Sequence, residues 1–202
     1  MKGLYLVTPD WDDTERLLDV TDAALRGGAT LLQYRHKTAA PSLRRTQAER
    51  LQALCRRHGC PFIINDFVEL CRDVDADGIH VGGTDLAVTE VRRVLGPDKI
   101  VGASCYGSLQ LAREAHAAGA SYVAFGGFYP SRVKKYEVST PPAIVAEAKR
   151  EIPLPAVVIG GMTRENAQPL VAQGADMVAA ISSVYFAVDP EAAAREFAML
   201  FA

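Results

Sequence analysis

The sequence lacks most of the features that would mark a secreted, zinc-binding or membrane-spanning protein. Its four cysteines form no Cys-x-x-Cys pair and its four histidines are scattered, so a structural zinc site is not indicated. Free thiols in a reducing compartment are the simpler interpretation, and we expect a cytoplasmic protein. No apolar run approaches the roughly 20 residues of a membrane span. A strand-like run begins at Leu4, so we expect no signal peptide.

An excess of charge of either sign is also missing. The 22 lysines and arginines nearly balance the 24 aspartates and glutamates, for a net charge of -2. This balance gives no general attraction to nucleic acid or to an anionic membrane, so an anion site would have to be local. The residues also suggest no Ser-His-Asp constellation and no lone activated cysteine, so a covalent mechanism is not favoured.

Short apolar segments rich in Val and Ile alternate along the chain with segments of helical periodicity. Their apolar residues are continuous, which is typical of parallel strands covered on both faces. The predicted strands cover residues 4–7, 30–34, 62–64, 78–81, 100–103, 122–125, 156–159 and 177–181, and the predicted helices 14–26, 41–58, 88–95, 109–118, 142–150, 164–173 and 190–201. This arrangement predicts an α/β protein, a single-domain (β/α)8 TIM barrel over residues 1–202.

A doubly wound open sheet is the alternative fold. Its dinucleotide-binding members carry G-x-G-x-x-G in the first strand-to-helix turn. Here that turn reads Thr8-Pro9-Asp10-Trp11 and contains no glycine, so the barrel is favoured.

Polar residues stand where the predicted strands end, which in a barrel is the edge that carries function. Gln33, Arg35 and Lys37 occupy alternate positions at the end of the second strand, so their side chains are expected on one side. An amide beside two cations suits a polar ring that carries a phosphate.

Two carboxylates follow neighbouring strands. Asp66 comes directly after Asn65 at the end of the third strand, and Asp85 follows the fourth. Mg2+ takes one or two carboxylates together with water and substrate phosphate oxygens, so Asp66 and Asp85 are predicted to hold Mg2+. Each also precedes a helical segment, so helix capping stays an open alternative.

The remaining strand ends supply hydroxyls, glycines and cations. The sixth strand is followed by two glycines and then by a loop with three cations, among them Lys134. We expect this loop to bind an anion and to close over the site as a lid that excludes water. The seventh strand ends in Gly160-Gly161 and the eighth in Ile181-Ser182, where backbone N–H groups of many barrels bind a phosphate. Ser104 adds a hydroxyl at the end of the fifth strand.

The residues at the carboxyl ends of the predicted strands therefore indicate two anion sites. One is cationic and includes the metal carboxylates, and the other is built from backbone amides. Such an arrangement favours an enzyme that handles two phosphorylated groups, one of them a Mg-bound diphosphate. Diphosphate is a leaving group, and cations stabilise the charge that it acquires as its bond breaks.

In combination, these motifs resemble the thiamin-phosphate synthase family. They are Gln-x-Arg-x-Lys at 33–37, Ile-Asn-Asp at 64–66, Gly-Ile-His-Val-Gly-x-x-Asp-Leu at 78–86, Gly-x-Ser at 102–104, the loop at 130–134, Ile-Gly-Gly at 159–161 and Ile-Ser at 181–182. The resemblance implies a Mg2+-dependent (β/α)8 transferase that joins an aminopyrimidine, carried as its hydroxymethyl diphosphate, to a thiazole phosphate. Diphosphate would leave first, and the thiazole nitrogen would capture the pyrimidine carbocation.

The resemblance also implies roles for individual residues. The residues expected to act in the chemical step are Arg35, Ser104 and Lys134. The residues expected to bind substrates are Gln33, Tyr34, Arg35, His36, Lys37, Asn65, Ser104, Ser131, Arg132, Val133, Lys134, Gly161, Ile181 and Ser182. The expected diphosphate ligands among them are Arg35, Lys37, Asn65 and Lys134, and the expected thiazole-phosphate ligands are residues 131–133, Gly161, Ile181 and Ser182. The expected Mg2+ ligands are Asp66 and Asp85.

The chain departs from the family's usual residues at three places. His36 stands where Glu is common, and Phe67 stands where a second Asp is common. Val133 stands where the loop commonly has Thr, so its side chain cannot donate a hydrogen bond. Backbone amides or Arg132 are expected to compensate.

Two other functions stay open on the sequence. Thiazole tautomerases share the barrel and work by proton transfer, but they have no need of the diphosphate residues kept here. A non-catalytic phosphate-binding barrel would be expected to have lost some of the charged residues, and none is missing. The expected partners are small-molecule substrates, with no nucleic acid and no membrane, and a homo-oligomer is compatible with the sequence.

Overall fold

A computed structural model describes residues 1–82, 87–130 and 140–202. Its eight strands close into a barrel in chain order, and each strand is parallel to its neighbours. The strands are β1 (Gly3–Val7), β2 (Ala29–Tyr34), β3 (Phe62–Asn65), β4 (Gly78–Val81), β5 (Ile100–Tyr106), β6 (Tyr122–Gly126), β7 (Ala156–Ile159) and β8 (Met177–Ala180). The predicted (β/α)8 TIM barrel is therefore confirmed, and the open sheet is wrong.

Helices follow the strands and cover the outside of the barrel. They are α1 (Thr14–Arg26), α2 (Pro41–His58), α3 (Val68–Asp73), α4 (Val88–Leu95), α5 (Leu109–Ala117), α6 (Ile144–Glu151), α7 (Arg164–Ala172), α8 (Ser182–Tyr185) and α9 (Pro190–Ala198), with a final 3-10 turn at Met199–Phe201. The sequence did not predict α3 or α8, because six and four residues are too few to show a helical period. Within the described residues, no helix combines the length and apolar character needed to cross a bilayer.

Two buried cores explain why the strands are apolar throughout. On β1, Leu4 and Leu6 belong to the outer core between strands and helices, whereas Tyr5 and Val7 belong to the core inside the barrel. Successive side chains of a strand point to opposite faces, and here both faces are buried. Polar side chains that point inward near the carboxyl ends therefore converge at the mouth of the barrel.

Candidate active site

Two adjoining clefts open at the carboxyl ends of the strands. The first, of about 790 Å3 with the open space at its mouth, is lined by the polar side chains Gln33, Arg35, Lys37, Asn65 and Asp66. We call it the cationic cleft. The second, of about 750 Å3, is lined mainly by the strand ends and loops of β6, β7 and β8, and we call it the glycine cleft. The two clefts share six lining residues, namely Ser104, Tyr106, Ala124, Ile159, Ala179 and Ile181.

Arg35 is held in the cationic cleft by Asp10 and Thr8, and one of its hydrogen-bond donors lacks an acceptor in the described structure. Its Nη1 lies 3.0 Å from both carboxylate oxygens of Asp10, and its backbone N–H donates to the Thr8 hydroxyl at 2.8 Å. The residue is only 8% exposed, yet its buried Nε–H has no hydrogen-bond acceptor in the described structure. A buried donor without an acceptor is costly, and this atom is too buried for a ligand in the cleft to reach unless the side chain shifts.

Asp66 and Lys37 form an ion pair across the cationic cleft. The Lys37 Nζ lies 2.9 Å from Asp66 Oδ2, and the Asn65 amide donates to the same oxygen at 2.6 Å. Asp66 has a φ of 65° and its N–H donates to the His80 carbonyl at 2.9 Å. A non-glycine residue in this left-handed region is uncommon and is held by its surroundings. The backbone therefore aims this carboxylate into the cleft.

A chain of polar groups crosses the barrel beneath the two clefts. The Gln33 amide donates to the Tyr5 hydroxyl at 2.6 Å, and the hydroxyls of Tyr5 and Tyr122 lie 2.6 Å apart. His80 Nδ1 lies 2.9 Å from the Tyr122 hydroxyl, and His80 Nε2 lies 2.9 Å from the Ser104 hydroxyl. Ser104 ends the chain and lines both clefts, so its orientation depends on four strands besides its own.

Sequence reasoning missed Tyr5, His80 and Tyr122 as parts of this chain. Each lies inside a short apolar run that is typical of a buried strand, and no role follows from the sequence for the side chain itself. A signal was present, since a Tyr, a His and a second Tyr occupy inward positions where aliphatic residues usually fill a barrel. Gly102 makes the space, because a Cβ there would lie 2.0 Å from the Tyr122 ring. Gly102 and Ser104 thus share one face of β5.

The two linked tyrosines predict a loss of stability in alkali. Burial raises the pKa of Tyr5 and of Tyr122 above the ordinary value. The unfolded chain therefore ionises both near pH 10 while the folded chain keeps them neutral, so the free energy of unfolding should fall as pH rises above about 10. Below that pH they should add no pH dependence. Urea unfolding between pH 9 and 11 should show that Tyr5→Phe flattens the slope by up to about 1.4 kcal/mol per pH unit, and an unchanged slope would contradict the assignment.

The glycine cleft depends on a close approach between the loops after β6 and β7. Gly161 has a φ of 62°, and a Cβ there would lie 2.3 Å from the Pro130 carbonyl oxygen. The Asn166 amide donates to the Gly161 carbonyl at 2.9 Å, while Asn166 and Thr163 cap the start of α7. The backbone of this loop is therefore held from both sides.

Two of the predicted substrate ligands, Tyr34 and His36, have buried side chains. The Tyr34 side chain is buried in the outer core, where its hydroxyl donates to the Gln47 side chain at 2.9 Å. His36 is also buried, with Nε2 3.5 Å from an Asp12 carboxylate oxygen. Strand alternation sends Gln33 inward and Tyr34 outward, and His36 continues the outward series. Neither residue lines a cleft in the described structure, so a substrate contact at these two positions stays a prediction.

The structure brings the other described residues of the predicted site together at the two clefts. Arg35, Gln33, Lys37, Asn65 and Asp66 line one cleft, Gly161 and Ser182 line the other, and Ser104 and Ile181 line both. The remaining predicted residues lie outside the described ranges, and they are Asp85, Ser131, Arg132, Val133 and Lys134. Most of the predicted lid lies outside them as well.

Comparison with known proteins adds independent findings. A family model described as thiamine monophosphate synthase matches residues 4–184. The chain is 67% identical over 202 residues to a thiamine-phosphate synthase of Janthinobacterium sp. (strain Marseille), covering 100% of the chain and 98% of that protein. It is 50% identical over 200 residues to a thiamine-phosphate synthase of Thiobacillus denitrificans, covering 99% and 95%. A solved thiamine phosphate pyrophosphorylase from Pyrococcus furiosus matches with a TM-score of 0.87 and 30% identity, over 98% of this chain and 94% of that one.

Proposed function

The chain belongs to the thiamine monophosphate synthase family and is a transferase that forms thiamine phosphate, and from this we propose how its two clefts divide the reaction. The cationic cleft takes the aminopyrimidine with its hydroxymethyl diphosphate, and the glycine cleft takes the thiazole phosphate. The observation that carries the proposal is the shared wall of the clefts at Ser104, Tyr106 and Ile159. Because the two clefts adjoin at these shared lining residues, substrates bound in them have their reacting ends close together. This proximity lowers the entropic part of the activation barrier.

The cationic cleft suits a diphosphate in charge and in hydrogen bonding. Arg35 lines the cleft and brings a positive charge to it. Lys37 adds a cation, Asn65 adds an amide donor, and Gln33 lies deeper, where an aminopyrimidine ring would meet its amide. Lys134 is proposed as a further cation for the diphosphate on the strength of its sequence motif alone.

The donor set also fits Mg2+. No three His, Cys, Asp or Glu side chains of the described residues cluster as a metal site, but Mg2+ needs only one or two carboxylates beside water and phosphate. Asp66 supplies one such carboxylate in the cationic cleft, and Asp85 is proposed for the second. When bound, the ion would act as a Lewis acid on the phosphate oxygens.

The protein's own groups have a clear task in this reaction. The bond between the pyrimidine methylene carbon and the diphosphate oxygen breaks, and its electron pair leaves with the diphosphate. The lone pair of the thiazole nitrogen then forms the new carbon–nitrogen bond. Arg35 and Lys37 stabilise the charge that gathers on the departing oxygen, while Ser104, held through His80, orients the pyrimidine from the shared wall.

The glycine cleft suits the second phosphate without a cation. Gly161, Ile181 and Ser182 line the cleft, and backbone N–H groups bind phosphate well where side chains leave room. Residues 131–133 are proposed to complete this site. Tyr129 and Met162 line the same cleft and give the thiazole ring an apolar contact.

A reconstituted assay tests the proposal. We expect release of diphosphate to require the pyrimidine diphosphate, the thiazole phosphate and Mg2+ together, and to match the thiamine phosphate formed. Chromatography of the products and a coupled diphosphate assay measure both. Isomerisation of a thiazole phosphate without the pyrimidine would instead indicate the tautomerase, which the comparisons do not support. A rate of diphosphate release that is the same with and without the thiazole phosphate would contradict the proposal that the two substrates react across adjoining clefts.

We also propose that the protein works in the cytoplasm on small molecules. Its four cysteines are all free and buried, which suits a reducing compartment. The nearly balanced charge of the chain offers no general affinity for nucleic acid or membrane.

A further inference from the structure

Arg44, on the first turns of α2, contacts the loop that carries Lys37. Its guanidinium donates to the Ala39 carbonyl at 2.7 Å and to the His36 and Lys37 carbonyls at 3.3 Å each. The three carbonyls belong to the segment between β2 and α2. A planar group with five donors can hold several acceptors at once, so Arg44 fixes the path of this loop.

The same guanidinium lies over the ring of Phe67. The distance from its central carbon to the ring centroid is 3.8 Å, which is a close cation–π contact. Phe67 directly follows Asp66, and its N–H donates to the Asn65 carbonyl at 2.8 Å. Arg44 therefore joins the loop after β2 to the loop after β3.

These two loops are the ones that meet in the Lys37–Asp66 ion pair. The Lys37 backbone is held on both sides, because its N–H donates to Asp10 at 3.3 Å and its carbonyl accepts from Arg44. We propose that Arg44 and Phe67 form a positioning clamp that holds Lys37 and Asp66 in register for a Mg-bound diphosphate. This inference rests on the proposed function of the cationic cleft.

The neighbouring Arg45 provides a matched control. It is on the same helix turn, but its side chain pairs with Glu49 and Asp73 on the outer surface. Arg44→Met and Arg45→Met remove one positive charge each from adjacent positions. Only the first removes donors from the Lys37 loop, so a general loss of positive potential should affect the two variants alike.

Calorimetric binding of inorganic diphosphate in the presence of Mg2+ tests the clamp. We expect Arg44→Met and Phe67→Leu each to raise the Kd about 10-fold, as loss of an outer supporting contact does in metal sites. The double variant should be little worse than Arg44→Met alone, because Arg44→Met already removes the cation–π contact that Phe67→Leu breaks. Arg45→Met should bind as the wild type does, and Phe67→Tyr, which keeps the ring face, should restore binding.

Two further readouts separate positioning from general destabilisation. In Arg44→Met the KM for the pyrimidine diphosphate should rise while the KM for the thiazole phosphate stays unchanged. Arg44→Lys keeps the charge but loses the forked donors and the planar stack, so it should not restore binding. Full restoration by lysine, or equal binding by Arg44→Met and Arg45→Met, would overturn the clamp. A wild type that does not bind diphosphate with Mg2+ would overturn the proposed cationic cleft itself and the clamp with it.

Discussion

Replacing Asp66 with Asn should lower kcat/KM by about 100- to 1000-fold, the usual cost of losing one group that stabilises transition-state charge. Asn keeps the size of the side chain and tolerates the left-handed backbone that Asp66 adopts at a φ of 65°. The substitution therefore removes the negative charge with little change of shape. Steady-state kinetics at several Mg2+ concentrations measure the loss.

The structure offers two controls for this substitution. Asp73→Asn makes the same change at the end of α3, on a residue that pairs with Arg45 outside the barrel, and should leave the kinetics unchanged. Lys37→Met removes the partner of Asp66 but keeps the carboxylate, so it should weaken diphosphate binding without weakening Mg2+ dependence. If Asp66 served only to hold Lys37, the two variants would respond to Mg2+ in the same way. That result, or near wild-type activity of Asp66→Asn, would refute Asp66 as a metal ligand.

Strand alternation accounts for most of what could be predicted from the sequence. It predicts one side for Gln33, at the end of β2, and for Arg35 and Lys37 just after it, and all three line the cationic cleft. The same rule directs the side chains of Tyr34 and His36, which lie between these three residues in the motif, away from the cleft. Both side chains are buried, so being adjacent in a motif does not by itself place a side chain in the cleft.

Contacts between distant segments could not be predicted in the same way. The link from Tyr5 to Tyr122 joins β1 to β6, and its existence depends on the closure of the barrel. The contact of Arg44 with Phe67 joins a helix to the loop of the next unit. No local pattern specifies either, because the distance along the chain says nothing about proximity across a closed sheet.

Replacing Gly161 with Ala should impair the glycine cleft, and Gly59→Ala is the matched control. The two glycines have nearly the same left-handed backbone, with φ values of 62° and 63°. A Cβ at Gly59 would meet nothing within 4 Å, whereas a Cβ at Gly161 would lie 2.3 Å from the Pro130 carbonyl oxygen. Alanine should therefore cost about 1–2 kcal/mol of stability at either position through backbone strain, and only at Gly161 should it also force a loop to move.

Movement of this loop should affect the thiazole phosphate more than the pyrimidine diphosphate. Pro130 leads directly into the segment that is proposed to bind the thiazole phosphate, and Gly161 itself lines the glycine cleft. A displacement of about 1 Å can cost about 100-fold in rate, so Gly161→Ala should lower kcat/KM for the thiazole phosphate by up to about that factor. Binding of diphosphate with Mg2+ in the cationic cleft should change little, since Gly161 does not line it. Equal kcat/KM values for Gly161→Ala and Gly59→Ala would mean that the loop adjusts without displacing the phosphate site. A loss of diphosphate binding in Gly161→Ala as large as its loss of kcat/KM would mean that the two clefts are not separate in function.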